Sequence, residues 1–387
     1  MPHLITKSDY DVVVVGARAA GAATAYRLAE GGARVLLVDR DPAIGDTLST
    51  HALMRPAVQM LASWGLLVQA IKGAEAVNKT TFNYGLERVV IPINPAPGIP
   101  GLFAPRRFHL DNVLVDAARS AGANVEFDQA CDGLQRDFSG RATGVRLRAR
   151  NGSTRDVTAD LVVGADGRSS SVARFANAET RHSSDAASAT VYTYVDGLPN
   201  EGYRWYYADG AAAGLIPTGD GLHCLFTSCR PSEFRQRLGS GGFKNALDIL
   251  AIWEPDLAAA LRMQGSAERM RRFLGAPGHI KAAHGPGWAL VGDAGYFKDP
   301  ASAHGISDAL IDAERLARAY LETPGNLAAY EVERDRHALP MFRATQEMAA
   351  MRWSIPRLQE LHRTLSLCMK EEGQAIEAGH LPTRHAA

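Results

Sequence analysis

The stretch DVVVVGARAAGAATAYRLAEGGARVLLVD, Asp11 to Asp39, restricts the fold more than any other part of the chain. Four consecutive valines, Val12 to Val15, form an unbroken apolar run that suits a strand buried on both faces. A small-residue helix follows, and RVLLVD then supplies a second buried strand, so the unit reads as β-α-β in a parallel sheet. Gly16 lets the first strand turn sharply, and Gly21 lets the helix pack closely on it. Arg18 stands where a G-x-G-x-x-G pattern has its middle glycine. The backbone of Gly16, Ala17, Arg18, Ala19, Ala20 and Gly21 leads into the helix N-terminus, where free N–H groups attract an anion. Asp39 ends the second strand 23 residues after Gly16, with Arg40 beside it, where a carboxylate accepts from a ribose hydroxyl. The pattern predicts a dinucleotide site.

Composition narrows the partners. Lys plus Arg (42) equals Asp plus Glu (42), with no basic stripe, which argues against nucleic acid. The four cysteines make no C-x-x-C pair, so neither a metal site nor a disulfide framework is expected. No apolar run approaches the length of a membrane span and the first residues lack a signal-peptide pattern, so a cytoplasmic protein is expected.

Further along, LSTHALMRPAVQMLASWGLL has helical spacing and stops at Gly65, and KTTFNYGLERVVIPI alternates around Gly85 as a hairpin. A helix from Leu110 to Gly122 precedes a strand, and two more strands meet at an Asn151-Gly152 turn. Beyond Asp185 the texture is β-rich and aromatic, then helical from Phe243 to Met263. From Trp288 the chain returns to strand, loop and helix, and after Ala328 it is helical with breaks expected near Pro340 and Pro356. The apolar stripe of these last helices is read as packing against the main domain, with a homodimer contact as the alternative.

Two later segments repeat the strand-then-Gly/Asp arrangement: DLVVGADGRSSSVAR places Asp166 and Gly167 after an apolar strand, and WALVGDAGYFKDPASAHG places Gly292 and Asp293 likewise. Three such motifs in this order resemble the FAD-dependent monooxygenase superfamily that includes para-hydroxybenzoate hydroxylase, geranylgeranyl reductases and flavin-dependent halogenases. The resemblance spans roughly residues 8 to 325. It implies an α/β fold in which a Rossmann-like FAD-binding domain of the para-hydroxybenzoate hydroxylase type carries an inserted antiparallel β-sheet substrate domain and C-terminal helices. Residues 1–80, 101–175 and 276–325 would form the FAD domain, 81–100 and 176–275 the substrate domain, and 326–387 the C-terminal helices.

The resemblance also implies roles. The loop Gly16 to Gly21, with Asp39, would hold the ADP half of FAD, and Arg18 would border it with a positional role. Asp166 would lie beside the dinucleotide and Asp293 on a ribityl or pyrophosphate-side hydroxyl. Gly305 and Ile306 would open a helix whose N-terminus faces the flavin. The R-x-x-L-x-x-x-L pattern of Arg107, Leu110 and Leu114 would supply a cofactor-binding cation, Arg107, with Arg106 as a solvated neighbour. Thr50 and His51 would approach the ring, Pro300 would shape the wall over it, and His51 and His304 are expected as catalytic groups, against helix-cap or loop roles. In YRWYYADG the alternation puts Trp205 and Tyr207 on one face, which with Phe82, Tyr84 and Phe226 is expected to line an aromatic substrate pocket.

Within the superfamily, the expected reaction is hydroxylation or epoxidation of an apolar or aromatic small molecule by O2 through a flavin C4a-hydroperoxide, with NADPH or NADH as reductant. A reductase like geranylgeranyl reductase is the alternative, although Thr50-His51 replaces a Cys-Gly pair frequent there. A halogenase is a lesser one: Lys79 is available, but Ser302 falls one position early and Met351 replaces a tryptophan of W-x-W-x-I-P.

Overall fold

The computed structural model describes residues 8–239, 241–323 and 325–378; residues 1–7 of the expected FAD domain and 379–387 of the C-terminal segment lie outside the described residues. Strands are numbered β1 to β18 and helices α1 to α10 in chain order. The expected α/β architecture is present: a largely parallel sheet, an antiparallel sheet and terminal helices.

The parallel layer runs β17 (Trp288–Leu290), β8 (Thr154–Gly164), β1 (Tyr10–Val15), β2 (Val35–Val38) and β5 (Asn124–Glu126), side by side. The valine run of β1 is buried on both faces. Val12 and Val14 pack with helices α1 (Ala19–Glu30), α4 (Arg107–Ser120) and α8 (Gly305–Glu322). Val13 and Val15 pack with α5 (Ser171–Phe175) and β7 (Ala142–Ala149) on the other side. Strand β6 (Gln129–Arg136) pairs with β7 and β7 with β8 antiparallel, turning at Gly152 (φ +86°), while β16 (His284–Gly285) closes the opposite edge.

The antiparallel sheet has seven strands in the order β14 (Arg271–Phe273), β10 (Ala189–Val195), β13 (His223–Cys229), β12 (Ala211–Pro217), β11 (Tyr203–Ala208), β3 (Lys79–Tyr84) and β4 (Glu87–Pro92). The expected hairpin at Gly85 (φ +62°) is therefore the outer part of this sheet, joined to it by the parallel pair β3 and β11. Helices α6 (Phe243–Leu250) and α7 (Pro255–Gln264) cover one face through Leu247, Leu250 and Leu261. A small sheet of β9 (Thr180–Ser184), β15 (Gly278–Lys281) and β18 (Tyr296–Phe297) packs Ile280 and Tyr296 against Ala338 and Phe342, and α2 (Arg55–Ser63) and α3 (Leu67–Ala70) precede β3.

The terminal helices correct one expectation. Helix α9 (Ala328–Ala349) runs straight through Pro340, and the break falls at residues 350–354, before α10 (Ile355–Glu377) begins with Pro356 in its first turn. Proline in a helix interior forfeits one hydrogen bond and crowds the preceding turn, and burial of Ala338, Met341 and Phe342 around it offsets that cost. No helix among the described residues is long and apolar enough to cross a membrane.

Candidate active site

The three Gly/Asp motifs converge at the carboxyl ends of β1, β8 and β17, which are parallel neighbours. Ligands of open α/β sheets bind at such edges. Glycine is needed at each contact. A Cβ on Gly16 (φ +105°) would stand 2.5 Å from the Ala165 carbonyl oxygen, one on Gly21 1.7 Å from the Gly16 carbonyl oxygen, and one on Gly292 (φ +55°) 2.9 Å from the Ala20 Cβ. The close approaches join strand to strand and strand to helix, leaving the N-terminus of α1 without a side-chain cap of its own.

Charge gathers there. Asp39 binds the loop itself: Ala17 N donates to one carboxylate oxygen (2.7 Å) and Asp41 N to the other (2.9 Å). Arg18, the N-cap residue, donates to the Gly45 carbonyl (3.0 Å) and Asp41 (3.3 Å), so it fastens the 41–45 loop to α1. Arg107 forms a bidentate pair with the fully buried Asp111 (3.1 and 3.0 Å). Burial raises the Asp111 carboxyl and Arg107 opposes that rise. Arg40 is exposed. Asp166 is taken up locally, accepting from Ser171 N and both the Ser170 and Ser171 hydroxyls at the start of α5.

Asp293 differs, because it is solvent-accessible yet enclosed by protein that raises its carboxyl, against the pull of Lys298, Arg107 and Arg168. Gly305 opens α8 with accessible backbone and empty space where a Cβ would stand, and the nearby Ser302 and Ser307 hydroxyls are buried without partners. An uncapped helix end, an accessible carboxylate and orphaned hydroxyls near these strand ends fit a dinucleotide.

Both histidines expected as catalytic groups are sealed from the cavity described below. His51, fully buried with φ 67°, accepts from Arg107 N at Nδ1 (3.2 Å) and meets the Tyr194 hydroxyl at Nε2. Burial above all, with Asp46 opposing and Arg106, Arg107 and Arg271 adding to it, pushes its imidazole down to about 3. It therefore stays neutral and holds the start of α4. His304, also fully buried, stands 3.0 Å from Asp308 at Nδ1 and 3.0 Å from Glu372 of α10 at Nε2. Lys298 is bound to Asp308 as well. Arg106, expected to be solvated, is buried and paired with Glu268 (2.8 Å) and Asp46 (3.0 Å), its guanidinium 3.9 Å from the centroid of the Tyr194 ring.

The cavity lies between the antiparallel sheet and two loops, one carrying Thr50 and the other Pro300, both of which line it. Paired residues on that face run Thr190, Ser228, Ala212 and Tyr207 in one row and Tyr192, Phe226, Gly214 and Trp205 in the next. Trp205, Tyr207 and Phe226 thus line the cavity, and the alternation puts the first two on one face. Phe82 and Tyr84, their partners on the neighbouring strand, stand beside them outside the lining: Tyr84 stacks on Tyr207 at 5.8 Å and shares a 2.6 Å hydrogen bond with His362, and Phe82 stacks on Tyr84. Ile306 is buried in the first turn of α8. Lys79, on the outer side of the sheet, does not line the cavity.

Two groups of lining residues went unforeseen. Ser188, Thr190 and Ser228 form a hydroxyl strip opposite the aromatic side, and the alternation Ser188, Thr190, Tyr192, Tyr194 could have revealed it. Met348, Met351, Trp353 and Leu358 come from the α9–α10 junction, for which no local signal exists. Arg230 holds that junction through two donors to the Met351 carbonyl (2.9 and 2.7 Å), where Met351 adopts φ 52°.

Comparison with known proteins agrees with this geometry. Residues 9–345 match the FAD binding domain family. A digeranylgeranylglycerophospholipid reductase of Methanosphaerula palustris is 25% identical over 338 residues, 82% of this chain and 77% of the relative. Among solved structures, PqsL of P. aeruginosa in complex with 2-aminobenzoylacetate superposes with TM-score 0.77 at 20% identity, covering 92% of this chain and 99% of PqsL. A ternary complex of aklavinone-11 hydroxylase with FAD and aklavinone gives TM-score 0.72 at 20% identity, covering 90% of this chain and 70% of that one.

Proposed function

The chain belongs to the FAD binding domain family and is an FAD-dependent oxidoreductase, and from that premise we propose that it is a monooxygenase acting on an apolar or aromatic small molecule. The observation that carries this reading is the cavity itself: a lining of Trp205, Tyr207, Phe226, Trp353 and two methionines meets Pro300 and Thr50, the residues next to the expected ring site. FAD, when bound and reduced, activates O2 for transfer of one oxygen atom to a substrate.

This chain's residues would do the rest. The α1 N-terminus and its glycines would hold the pyrophosphate, Asp293 would accept from a ribityl-side hydroxyl, and the N–H groups at Gly305 and Ile306 would stabilise negative charge on the reduced flavin. Pro300 keeps the loop rigid, and the apolar walls exclude water from the reacting atoms. His51 and His304 act by position, holding the starts of α4 and α8. NADPH or NADH is the proposed reductant.

No lysine lines the cavity among the described residues, which weighs against a halogenase relay. A reductase remains the second reading, which the likeness to the archaeal enzyme fits without favouring. Turnover of an unsaturated aromatic panel under 18O2 separates them. Label in the product supports the monooxygenase; a reduced product without label overturns it in favour of the reductase.

A further inference from the structure

The hydroxyl strip of the cavity has a fixed hydrogen-bond polarity. Ser188 donates its hydroxyl hydrogen to Asp299 Oδ1 (2.8 Å), while its backbone N–H donates to Asp299 Oδ2 (2.7 Å). Asp299 is buried and held in turn: its Oδ1 accepts from Ala301 N (3.0 Å), and its own N–H donates to Gln346. A serine has one hydrogen, so Ser188, with that hydrogen committed, presents only lone pairs to a molecule in the cavity.

Beside it, Thr190 and Ser228 share one hydrogen bond (2.7 Å) across paired strands. Whichever hydroxyl donates, the other keeps its hydrogen. The strip therefore offers an acceptor next to a donor. No Arg, Lys, His, Asp or Glu lines the cavity among the described residues, so a carboxylate or phosphate would enter without a counter-ion, at a high desolvation cost.

We propose that the substrate is an uncharged aromatic molecule carrying an O–H or N–H donor on its ring, and that Ser188, locked by Asp299, is the specificity-determining acceptor for that hydrogen. The neighbouring Thr190/Ser228 pair then donates to an oxygen on the same edge of the ring, while the aromatic side stacks on its face. A ring whose donor is methylated leaves the Ser188 lone pairs unpaired in a buried place, and sites of this kind discriminate strongly against such analogues. The proposal deepens the reading of the cavity as the substrate site, but its test needs no turnover.

FAD-loaded protein is titrated by calorimetry with 2-naphthol, 2-methoxynaphthalene and 2-naphthoate. The expected result is that 2-naphthol binds about tenfold or more tightly than both its methyl ether and the carboxylate. In Ser188→Ala, checked for FAD retention, the preference over the methyl ether should fall to about twofold or less. Equal binding of naphthol and its ether to the native protein would overturn the proposal, as would tighter binding of naphthoate or an undiminished preference in Ser188→Ala. If the alanine variant does not fold, the native comparison alone decides. A naphthol preference without 18O incorporation in the turnover assay would sink the monooxygenase reading and leave this one standing.

Discussion

His51 shows how burial converts a titratable side chain into a structural one. Its imidazole is pushed down to about 3 chiefly by desolvation, while an unfolded histidine titrates near 6.5. Between those values the unfolded chain takes up a proton that the native site refuses, so stability contributed by neutral His51 is lost as pH falls below 6.5. Urea unfolding at pH 6.5 and 5.5 should show native protein losing about 1 kcal/mol more than His51→Gln over that interval. Equal losses would mean that His51 charges in the folded state. Gly21 is a second test at this scale. Its missing Cβ lies 1.7 Å from the Gly16 carbonyl oxygen, backbone that cannot yield. Gly21→Ala is expected to abolish FAD retention on gel filtration and to lower the melting temperature. Gly21 was legible in the sequence because a tight strand-helix turn demands it. The burial of His51 was not, since its partners Tyr194 and Arg107 come from distant segments.

Among the elements, the β-α-β start, the hairpin at Gly85 and the turn at Gly152 follow from local pattern, and all three stand as expected. The alternation of YRWYYADG likewise separates Trp205 and Tyr207 from Tyr206, which packs on Trp253 behind the sheet. Helix α9 departs from its sequence pattern because tertiary burial overrides the proline at 340. The α9–α10 junction departs for another reason: its meaning lies in what it reaches, not in its own residues. Arg230 supplies the hold, with Asp209 and Glu233 orienting its guanidinium at 2.6 and 2.8 Å. Arg230→Ala should speed limited proteolysis within residues 350–354 and weaken 2-naphthol binding by about three- to tenfold, while FAD retention is unchanged. Unchanged proteolysis and binding would show that apolar packing alone keeps the junction in place.

For the whole molecule, the cofactor cleft is built from strand ends that are far apart in sequence and adjacent in space. A ligand bound only by the assembled cleft stabilises it by mass action, about 2.7 kcal/mol at a hundredfold excess over the dissociation constant. Removing FAD should therefore lower the melting temperature by several degrees, and adding it back should restore the transition; an unchanged transition would argue against FAD at this cleft. The contact of Gly292 with Ala20 carries a further consequence for biosynthesis. The first motif emerges from the ribosome early, but its partner surface does not exist until Gly292 of the 387 residues has been made. Until then the nascent chain exposes an unfinished cleft, so cofactor capture and closure of the domain wait for the third motif to be made.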